Sequence, residues 1–177
     1  MKNRNKESGS AAHSERAGAP RLYFAAPLFS DSERSFNEEL AVDIERIGYS
    51  VFLPQRDGGE LRRPAEGTLL QSERRRSIFA TDYQQVIDCD VLLFVLDGRV
   101  PDEGAAMELG LAYAHRETVG RERKLVGIKT DSRSTFFHSA LNPMLSVPLD
   151  FIARSHERVM VYLIALYDRL REKPAKA

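Results

Sequence analysis

The chain has 177 residues, of which 42% are hydrophobic and 29% are charged, a composition that suits one domain with a buried core. Its 26 basic side chains balance its 26 acidic ones, so no excess charge attracts it to a nucleic-acid polymer or to an anionic membrane. The single cysteine, Cys89, excludes an internal disulfide, and no segment approaches the ~18 consecutive apolar residues of a membrane span. We therefore expect a cytoplasmic protein that acts on small molecules.

The N-terminal residues 1–20 are polar and rich in Ser, Gly and Ala, which predicts a disordered tail ahead of a single domain over residues 21–173. The domain opens with RLYFAAPLF (21–29), a pattern typical of a buried strand that runs into a loop. A helix is predicted next, because Ser30 is a suitable N-cap and Glu33 completes a capping box with it.

The rest of the chain alternates between strand and helix patterns. Further strands are predicted at 50–54, 90–98, 124–131 and 151–155. Helices are predicted up to Gly48, from Leu70 to Ile87, from Asp102 onward and from His156 to Glu172. A loop is predicted at 55–67. This alternation predicts a five-stranded parallel sheet with helices on both faces. Such sheets bind ligands at the carboxyl ends of their strands, which places Asp97 and Asp102 on the ligand side.

The segment DEGAAMELGLAYAH (102–115) has the pattern of a buried helix with a carboxylate, Glu108, in its middle. The residues one turn away from Glu108 are all nonpolar: Gly104, Ala105, Leu111 and Ala112. An unpaired buried carboxylate costs several kcal/mol, so Glu108 needs either a partner or a chemical role. Asp102, taken alone, is best explained as the N-cap of this helix.

Several common site motifs are absent from the sequence. It has no G-x-G-x-x-G after the first strand and no G-x-x-x-x-G-K-[ST], which disfavours dinucleotide and P-loop chemistry. It also has no His and Cys cluster with metal-ligand spacing and no G-x-S-x-G elbow. Taken alone, Asp82 reads as a surface acid and Tyr23 as a core residue, while Phe29 could be core or could stack on a flat ligand.

Four segments together resemble the nucleoside 2-deoxyribosyltransferases over residues 21 to about 150: LYFAAPLFSDSERSFNEEL, VFLPQRDG, DCDVLLFVLDGRVPDEGAAMELGLAYA and GIKTD. The most specific part is D-x-G-x-x-x-E-L-G at 102–110, which related deoxynucleotide N-glycosidases share. The resemblance implies a flavodoxin-like fold and an enzyme that moves 2-deoxyribose between nucleobases by double displacement. It implies no metal and no organic cofactor.

The resemblance also implies a role for individual residues. Glu108 corresponds to the nucleophile and Tyr23 to the tyrosine that orients it. Asp82 corresponds to the acid that handles the proton of the base, and Asp102 would bind a sugar hydroxyl or support Glu108. The remaining implied contacts are Phe29 and Gln55 in the base pocket, and Asn142 and Met144, which a neighbouring subunit would lend to the site.

Two other functions stay open at this point. The first is an N-glycoside hydrolase of nucleosides or nucleoside 5′-monophosphates, in which Arg34 could contact the phosphate. The first loop, AAPLF, differs from the glycine- and serine-rich loop of the nucleotide N-glycosidases, which favours a nucleoside. The second is a nucleotide-sensing module without turnover, which would have no need of a nucleophile.

The segment STFFHSALNPML (134–145) is unusually apolar for a loop. Its apolar residues are Phe136, Phe137, Leu141, Met144 and Leu145. Such a patch either marks a partner surface or folds back on the chain's own core. The resemblance favours the partner surface and thus a homo-oligomer built from dimers.

Overall fold

The computed structural model describes residues 18–59, 71–131 and 141–172. The predicted N-terminal tail lies outside these residues except for its last three positions. Phe136 and Phe137 of the apolar segment also lie outside them.

Five parallel strands form one sheet in the order β2-β1-β3-β4-β5. The strands are β1 Arg21–Ala25, β2 Ser50–Phe52, β3 Val91–Val95, β4 Lys124–Ile128 and β5 Phe151–Ala153. All five residues of β3 are buried, as the near-continuous apolar pattern of a central parallel strand predicts. The order is that of flavodoxin-like sheets, so the predicted fold class is confirmed.

Helices cover both faces of the sheet. They are α1 Asp31–Ile47, α2 Pro54–Asp57, α3 Gln71–Asp88, α4 Glu103–Val119, α5 Pro143–Ser146 and α6 His156–Glu172. The apolar faces of α1 and α6 pack with Leu22 and Phe24 on one side of the sheet. Residues of α3 and α4 pack with Tyr23 and Phe94 on the other side. Among the described helices, none is long and apolar enough to cross a bilayer.

Helix α1 begins and ends as its sequence predicts. The Ser30 hydroxyl accepts a hydrogen bond from the Glu33 amide, and the Glu33 carboxylate accepts one from the Ser30 amide at 2.7 Å. The helix ends at Gly48, whose φ of 124° favours glycine. A Cβ at this position would lie 2.4 Å from the Tyr167 hydroxyl oxygen, so glycine also allows α6 to pack against the end of α1.

The predicted loop at 55–67 is wrong at its start, because residues 55–57 belong to α2. Pro54 occupies the first turn, where its missing N–H is not needed. The Asp57 carboxylate accepts a hydrogen bond from the Leu53 amide at 2.9 Å. The proline and this hydrogen bond stabilise one helical turn. Residues 60–67 of the predicted loop lie outside the described part of the chain.

The third strand is shorter than predicted, since it ends at Val95 and not at Gly98. The Asp97 carboxylate turns toward the end of β4, where it accepts hydrogen bonds from the amides of Thr130 (2.6 Å) and Asp131 (2.8 Å). Gly98 then adopts a φ of 116°. Asp97 thus ties together the carboxyl ends of two neighbouring strands.

Candidate active site

A cleft of about 390 Å³ lies at the carboxyl ends of the strands, where the strand order reverses between β1 and β3. Ligands of doubly wound sheets bind at this position. The cleft is lined by Ala26, Leu28, Phe29 and Arg34 after β1, by Pro54 after β2, and by Asp102, Gly104, Ala105 and Glu108 after β3. Two residues predicted from the sequence to be catalytic, Asp102 and Glu108, therefore share one wall.

Glu108 has the partner that the sequence argument demanded. The Tyr23 hydroxyl donates a hydrogen bond to Glu108 Oε1 at 2.7 Å. Tyr23 is fully buried in β1, and its ring stacks on Phe52 of β2 with a centroid distance of 5.7 Å. A donor fixed in this way holds the carboxylate in one orientation toward the cleft. The two partners are 85 positions apart in the sequence, which explains why neither local pattern revealed the bond.

The prediction that α4 is a buried helix holds for one side of the helix only. One stripe, Ala105, Leu109 and Ala112, packs on the sheet, whereas Gly104, Met107 and Gly110 are exposed and Met107 retains 54% of its accessible surface. Glu108 is half-buried at the border between these two sides. An apolar composition cannot distinguish a helix enclosed by its own chain from one that lies across the surface of a sheet.

Asp102 is the N-cap of α4, as predicted, and it also lines the cleft. Its Oδ1 accepts a hydrogen bond from the Ala105 amide at 2.9 Å. A Cβ on Gly104 would lie 3.1 Å from the same oxygen, so glycine keeps room for the carboxylate. Within residues 18–59, 71–131 and 141–172, no three His, Cys, Asp or Glu side chains are grouped so that they could hold a metal ion.

Side chains of α1 fix the loop between β1 and α1. The Asn37 amide donates to the Pro27 carbonyl at 2.9 Å, and the Arg34 guanidinium donates to the Leu28 carbonyl at 2.9 Å. Phe29 follows them in the loop and is 76% exposed at the mouth of the cleft. Asn37 was not predicted from the sequence, although a polar residue on the apolar face of α1 was a usable signal.

Residues 22–146 match the family model "Nucleoside 2-deoxyribosyltransferase". The chain belongs to this family. The family consists of enzymes that act on nucleosides and nucleobases, which is consistent with small-molecule substrates. No curated protein sequence matches closely enough to add a relative.

Three solved structures share the fold of this family member. A conserved protein from Enterococcus faecalis V583 is 22% identical, with 84% of this chain and 99% of that chain covered and a TM-score of 0.66. The 2-deoxyribosyltransferase of Bacillus psychrosaccharolyticus is 19% identical, with 88% and 99% covered and a TM-score of 0.66. The CMP N-glycosidase BcmB of Clostridium botulinum is 17% identical, with 82% and 98% covered and a TM-score of 0.50.

Gln55, predicted for the base pocket of this deoxyribosyltransferase-family chain, is hydrogen-bonded to α1. Its Nε2 donates to the Arg34 carbonyl at 2.9 Å, and its Oε1 accepts a hydrogen bond from Asn37 at 3.0 Å. Neither Gln55 nor Asn37 is among the described residues that line the cleft, whereas the adjacent Pro54 is. In this chain Gln55 connects α2 to α1 and supports the wall that carries Arg34.

Asp82, the predicted proton-handling acid of the family, is half-buried on α3 on the same side as Ile78 and Val86. Its Oδ1 is shielded from solvent. The expectation from the local sequence, a surface acid, is therefore wrong, because α3 turns the side of Asp82, Ile78 and Val86 away from solvent. Asp82 is not among the described residues that line the cleft beside Glu108.

Asn142 and Met144, predicted to serve a neighbouring site, do not line this chain's own cleft. Asn142 caps α5 by accepting a hydrogen bond from the Met144 amide at 2.9 Å, and Met144 is 79% exposed. Leu141 and Leu145 pack against the hydrophobic cluster that includes Leu109 of α4. The described part of the apolar segment is thus divided between the chain's own core and the surface.

Proposed function

We propose that this chain transfers 2-deoxyribose between nucleobases through a glycosyl-enzyme ester on Glu108. The observation that carries the proposal is the Tyr23–Glu108 hydrogen bond at the edge of a ligand-sized cleft in a member of this family. A carboxylate held by a buried hydroxyl is a preorganised nucleophile for a sugar carbon that becomes positively charged. In the cytoplasm, such a transfer would salvage nucleobases.

In the first step, a Glu108 oxygen attacks C1′ of the deoxynucleoside while the bond from C1′ to the base nitrogen breaks. The electron pair of that bond goes to the base, and Asp82 supplies the proton that makes the base a better leaving group. Tyr23 keeps Glu108 oriented through Oε1. In the second step, a nitrogen of the incoming base attacks C1′, the ester bond breaks, and the proton returns to Asp82, as in retaining glycosidases.

The other residues bind and position the nucleoside. Phe29, exposed at the cleft mouth, offers its ring face to the flat base. Asp102 accepts a hydrogen bond from a sugar hydroxyl with the carboxylate that caps α4. Gln55 supports the wall of the base pocket. The two steps use only side chains of the protein.

The direct test incubates one deoxynucleoside with a different free base and detects the new deoxynucleoside by chromatography, over a matrix of purines and pyrimidines. Transfer in any combination is the expected result, and its absence from every combination overturns the proposal. Glu108→Ala should abolish transfer without unfolding the chain. Glu103→Gln, a change of an exposed carboxylate in the first turn of the same helix, is the matched control.

Mass spectrometry of enzyme quenched during turnover should find a deoxyribosyl group on Glu108. An adduct on another residue, or full activity of Glu108→Ala, would show that Glu108 is not the nucleophile.

A second candidate function is hydrolysis of the N-glycosidic bond of nucleosides or nucleoside 5′-monophosphates. It shares the first step and replaces the acceptor base by water. The half-exposed position of Glu108 favours it, because water could reach the ester. Base release at the same rate with and without an acceptor base would support hydrolysis.

We further propose a homo-oligomer built from dimers, in which Asn142 and Met144 of a second copy cover the site. The support is that Glu108 is half-exposed within one chain while Met144 projects into solvent. Mixing Glu108→Ala chains with Asn142→Ala chains should restore part of the activity, since one site of a mixed dimer is intact. A fully active monomer in sedimentation at assay concentration would contradict this proposal.

A further inference from the structure

Asn37 is a polar side chain on the apolar face of α1, and only 1% of its surface is exposed. The other buried residues of this face are Leu40, Ala41 and Ile44. Asn37 Oδ1 accepts no hydrogen bond from any residue that the structure describes. A buried polar atom without a partner costs free energy, so stability alone favours an apolar side chain at this position. The amide therefore needs an explanation other than the packing of α1.

The N–H groups of this amide connect two segments that line the cleft. Asn37 Nδ2 donates to the Pro27 carbonyl at 2.9 Å and to Gln55 Oε1 at 3.0 Å. Pro27 belongs to the loop after β1, and the next residue of that loop, Leu28, lines the cleft. Gln55 belongs to α2, and its neighbour Pro54 lines the cleft as well. One buried amide thus sets the spacing between the loop and α2.

The carbonyls at the two ends of this network fix the orientation of both amides. The Pro27 carbonyl can only accept, so Asn37 must present Nδ2 and not Oδ1 to it. Gln55 Nε2 donates to the Arg34 carbonyl at 2.9 Å, so Gln55 presents Oε1 to Asn37. Turning either amide around would place two oxygens against each other. The network therefore has one orientation, in which Asn37 supplies the donors to both segments.

The loop that Asn37 holds carries Phe29, the residue proposed to stack on the base. Asn37 fixes this loop at Pro27, and the Arg34 guanidinium fixes it at Leu28 with a hydrogen bond of 2.9 Å. Phe29 follows directly and is 76% exposed. Because so little of the ring is buried, its place in the cleft depends on the backbone that carries it.

On the basis of the proposed function, we infer that Asn37 is a positioning residue for base binding, which holds Phe29 and Pro54 at a fixed spacing before the base arrives. Asn37 is not among the described residues that line the cleft, so it acts on the base through the loop and α2. A preformed spacing lowers the ordering cost of binding. The base is held equally in the ground state and in the transition state, so Asn37 affects KM and not kcat.

The experiment measures the transfer kinetics of Asn37→Leu and Asn37→Ala. Both changes remove the N–H donors, and only the second leaves a cavity. KM for the deoxynucleoside and KM for the free acceptor base should each rise by about tenfold, while kcat stays within about twofold. The acceptor carries no sugar, so its KM reports on the base alone. Unchanged KM values, or a fall in kcat at unchanged KM, overturn the inference.

Ile44→Val is the matched control, because it shortens another buried side chain on the same face of α1. It should lower the stability and leave both KM values unchanged. A rise of both KM values in this control as large as in the Asn37 variants would show that general loosening of α1 is the cause, and would overturn the inference.

Gln55→Leu removes the acceptor of one bond and leaves α1 unaltered, so it decides the matter if the Asn37 variants fail to fold. It should also raise both KM values at nearly constant kcat, and unchanged values overturn the inference. Where all variants fold, Asn37→Leu combined with Gln55→Leu should raise KM by less than the product of the two single effects, because both break one network. Fully independent effects count against it.

Absence of transfer by the wild-type chain would refute the proposed function and not this inference. Equilibrium binding of free adenine, guanine, cytosine and thymine then decides between the wild type and Asn37→Leu. Weaker binding to the variant supports the positioning role of Asn37. Equal binding to both chains, or no binding to either, overturns it.

Discussion

The two ends of the sheet each carry a cleft, and the larger one lies at the amino ends of β3 and β4. It measures about 510 Å³, against about 390 Å³ for the cleft beside Glu108. Its lining is highly charged and includes Asp90, Arg116, Glu117, Arg121, Glu122, Arg123, Lys124, Asp150 and Arg169. The cleft of the proposed site is therefore neither the larger nor the more highly charged of the two.

The charges at the amino end are used to hold the backbone together. Arg123 is buried and donates hydrogen bonds to the carbonyls of Cys89 (3.1 Å), Ala112 (3.2 Å) and Ile87. These bonds connect the start of β4 to the end of α3 and to α4. Burial lowers the pKa of Arg123. Asp150 pairs with Arg116 at 2.9 Å. At the carboxyl end, by contrast, Glu108 and Asp102 face a concave space, so the surroundings of a charge indicate its role better than the charge itself.

The largest expected effect separates two acids of α3, Asp82 and Asp88, the second of which lies at the amino end of the sheet. Asp82→Asn should slow transfer from the poorest leaving bases by ~10²-fold or more, because an amide cannot deliver a proton. Asp88→Asn should leave transfer unchanged, since the Asp88 carboxylate contacts Gln84, Arg21 and Arg121. Rates measured across bases of graded leaving ability provide the check. Equal slowing of good and poor leaving bases would contradict a proton-transfer role for Asp82.

Arg123→Met should lower the free energy of unfolding by about 3 kcal/mol, because it leaves buried carbonyls without their donor. The activity per folded molecule should stay within about twofold, because the change lies at the amino end of the sheet. Urea unfolding followed by circular dichroism measures the first quantity. Arg169→Met, an exposed arginine of the same cleft, is the control and should cost under about 0.5 kcal/mol. A loss of activity in well-folded Arg123→Met would show that the two ends are coupled.

Tyr23→Phe should reduce kcat/KM by roughly tenfold, since hydrogen bonds to charged groups contribute ~1.5–3 kcal/mol, only part of which is specific to the transition state. The ring that stacks on Phe52 remains, so the fold should survive. Tyr49→Phe removes another buried hydroxyl, which donates to the Leu163 carbonyl on the opposite face of the sheet. We expect that control to lose stability and not activity. Steady-state kinetics with both variants will decide, and an unaffected Tyr23→Phe enzyme would remove Tyr23 from the mechanism.

The smallest effect concerns the pH dependence of the α1 cap. The pKa of Glu33 is lower in the folded chain than in the unfolded chain. The ionised Glu33 carboxylate therefore makes its full contribution to the free energy of unfolding above the ordinary glutamate pKa. This contribution disappears as the pH falls through the folded-state pKa. At pH 7, Glu33→Gln should cost under about 1 kcal/mol of unfolding free energy, because the group faces solvent. This difference should shrink toward zero in acid, and a difference that grows as the pH falls would have the wrong sign.

The sequence by itself determined most of the local structure. The apolar patterns predicted the five strands, and the patterns of Ser30, Glu33, Gly48 and Asp102 predicted caps that the structure confirms. These features depend on neighbours within one or two turns, which a single sequence displays directly. The pattern around Glu108 also showed that this carboxylate needs a partner.

Only the tertiary structure decided which groups meet. The Tyr23–Glu108 bond joins β1 to α4 across 85 residues, and the bonds of Arg123 to Ile87 and Cys89 span more than 30. The inward position of Asp82 and the exposed side of α4 likewise depend on how each helix is rotated against the sheet. Strand order and helix rotation arise from packing of the whole core, and local sequence patterns do not encode them.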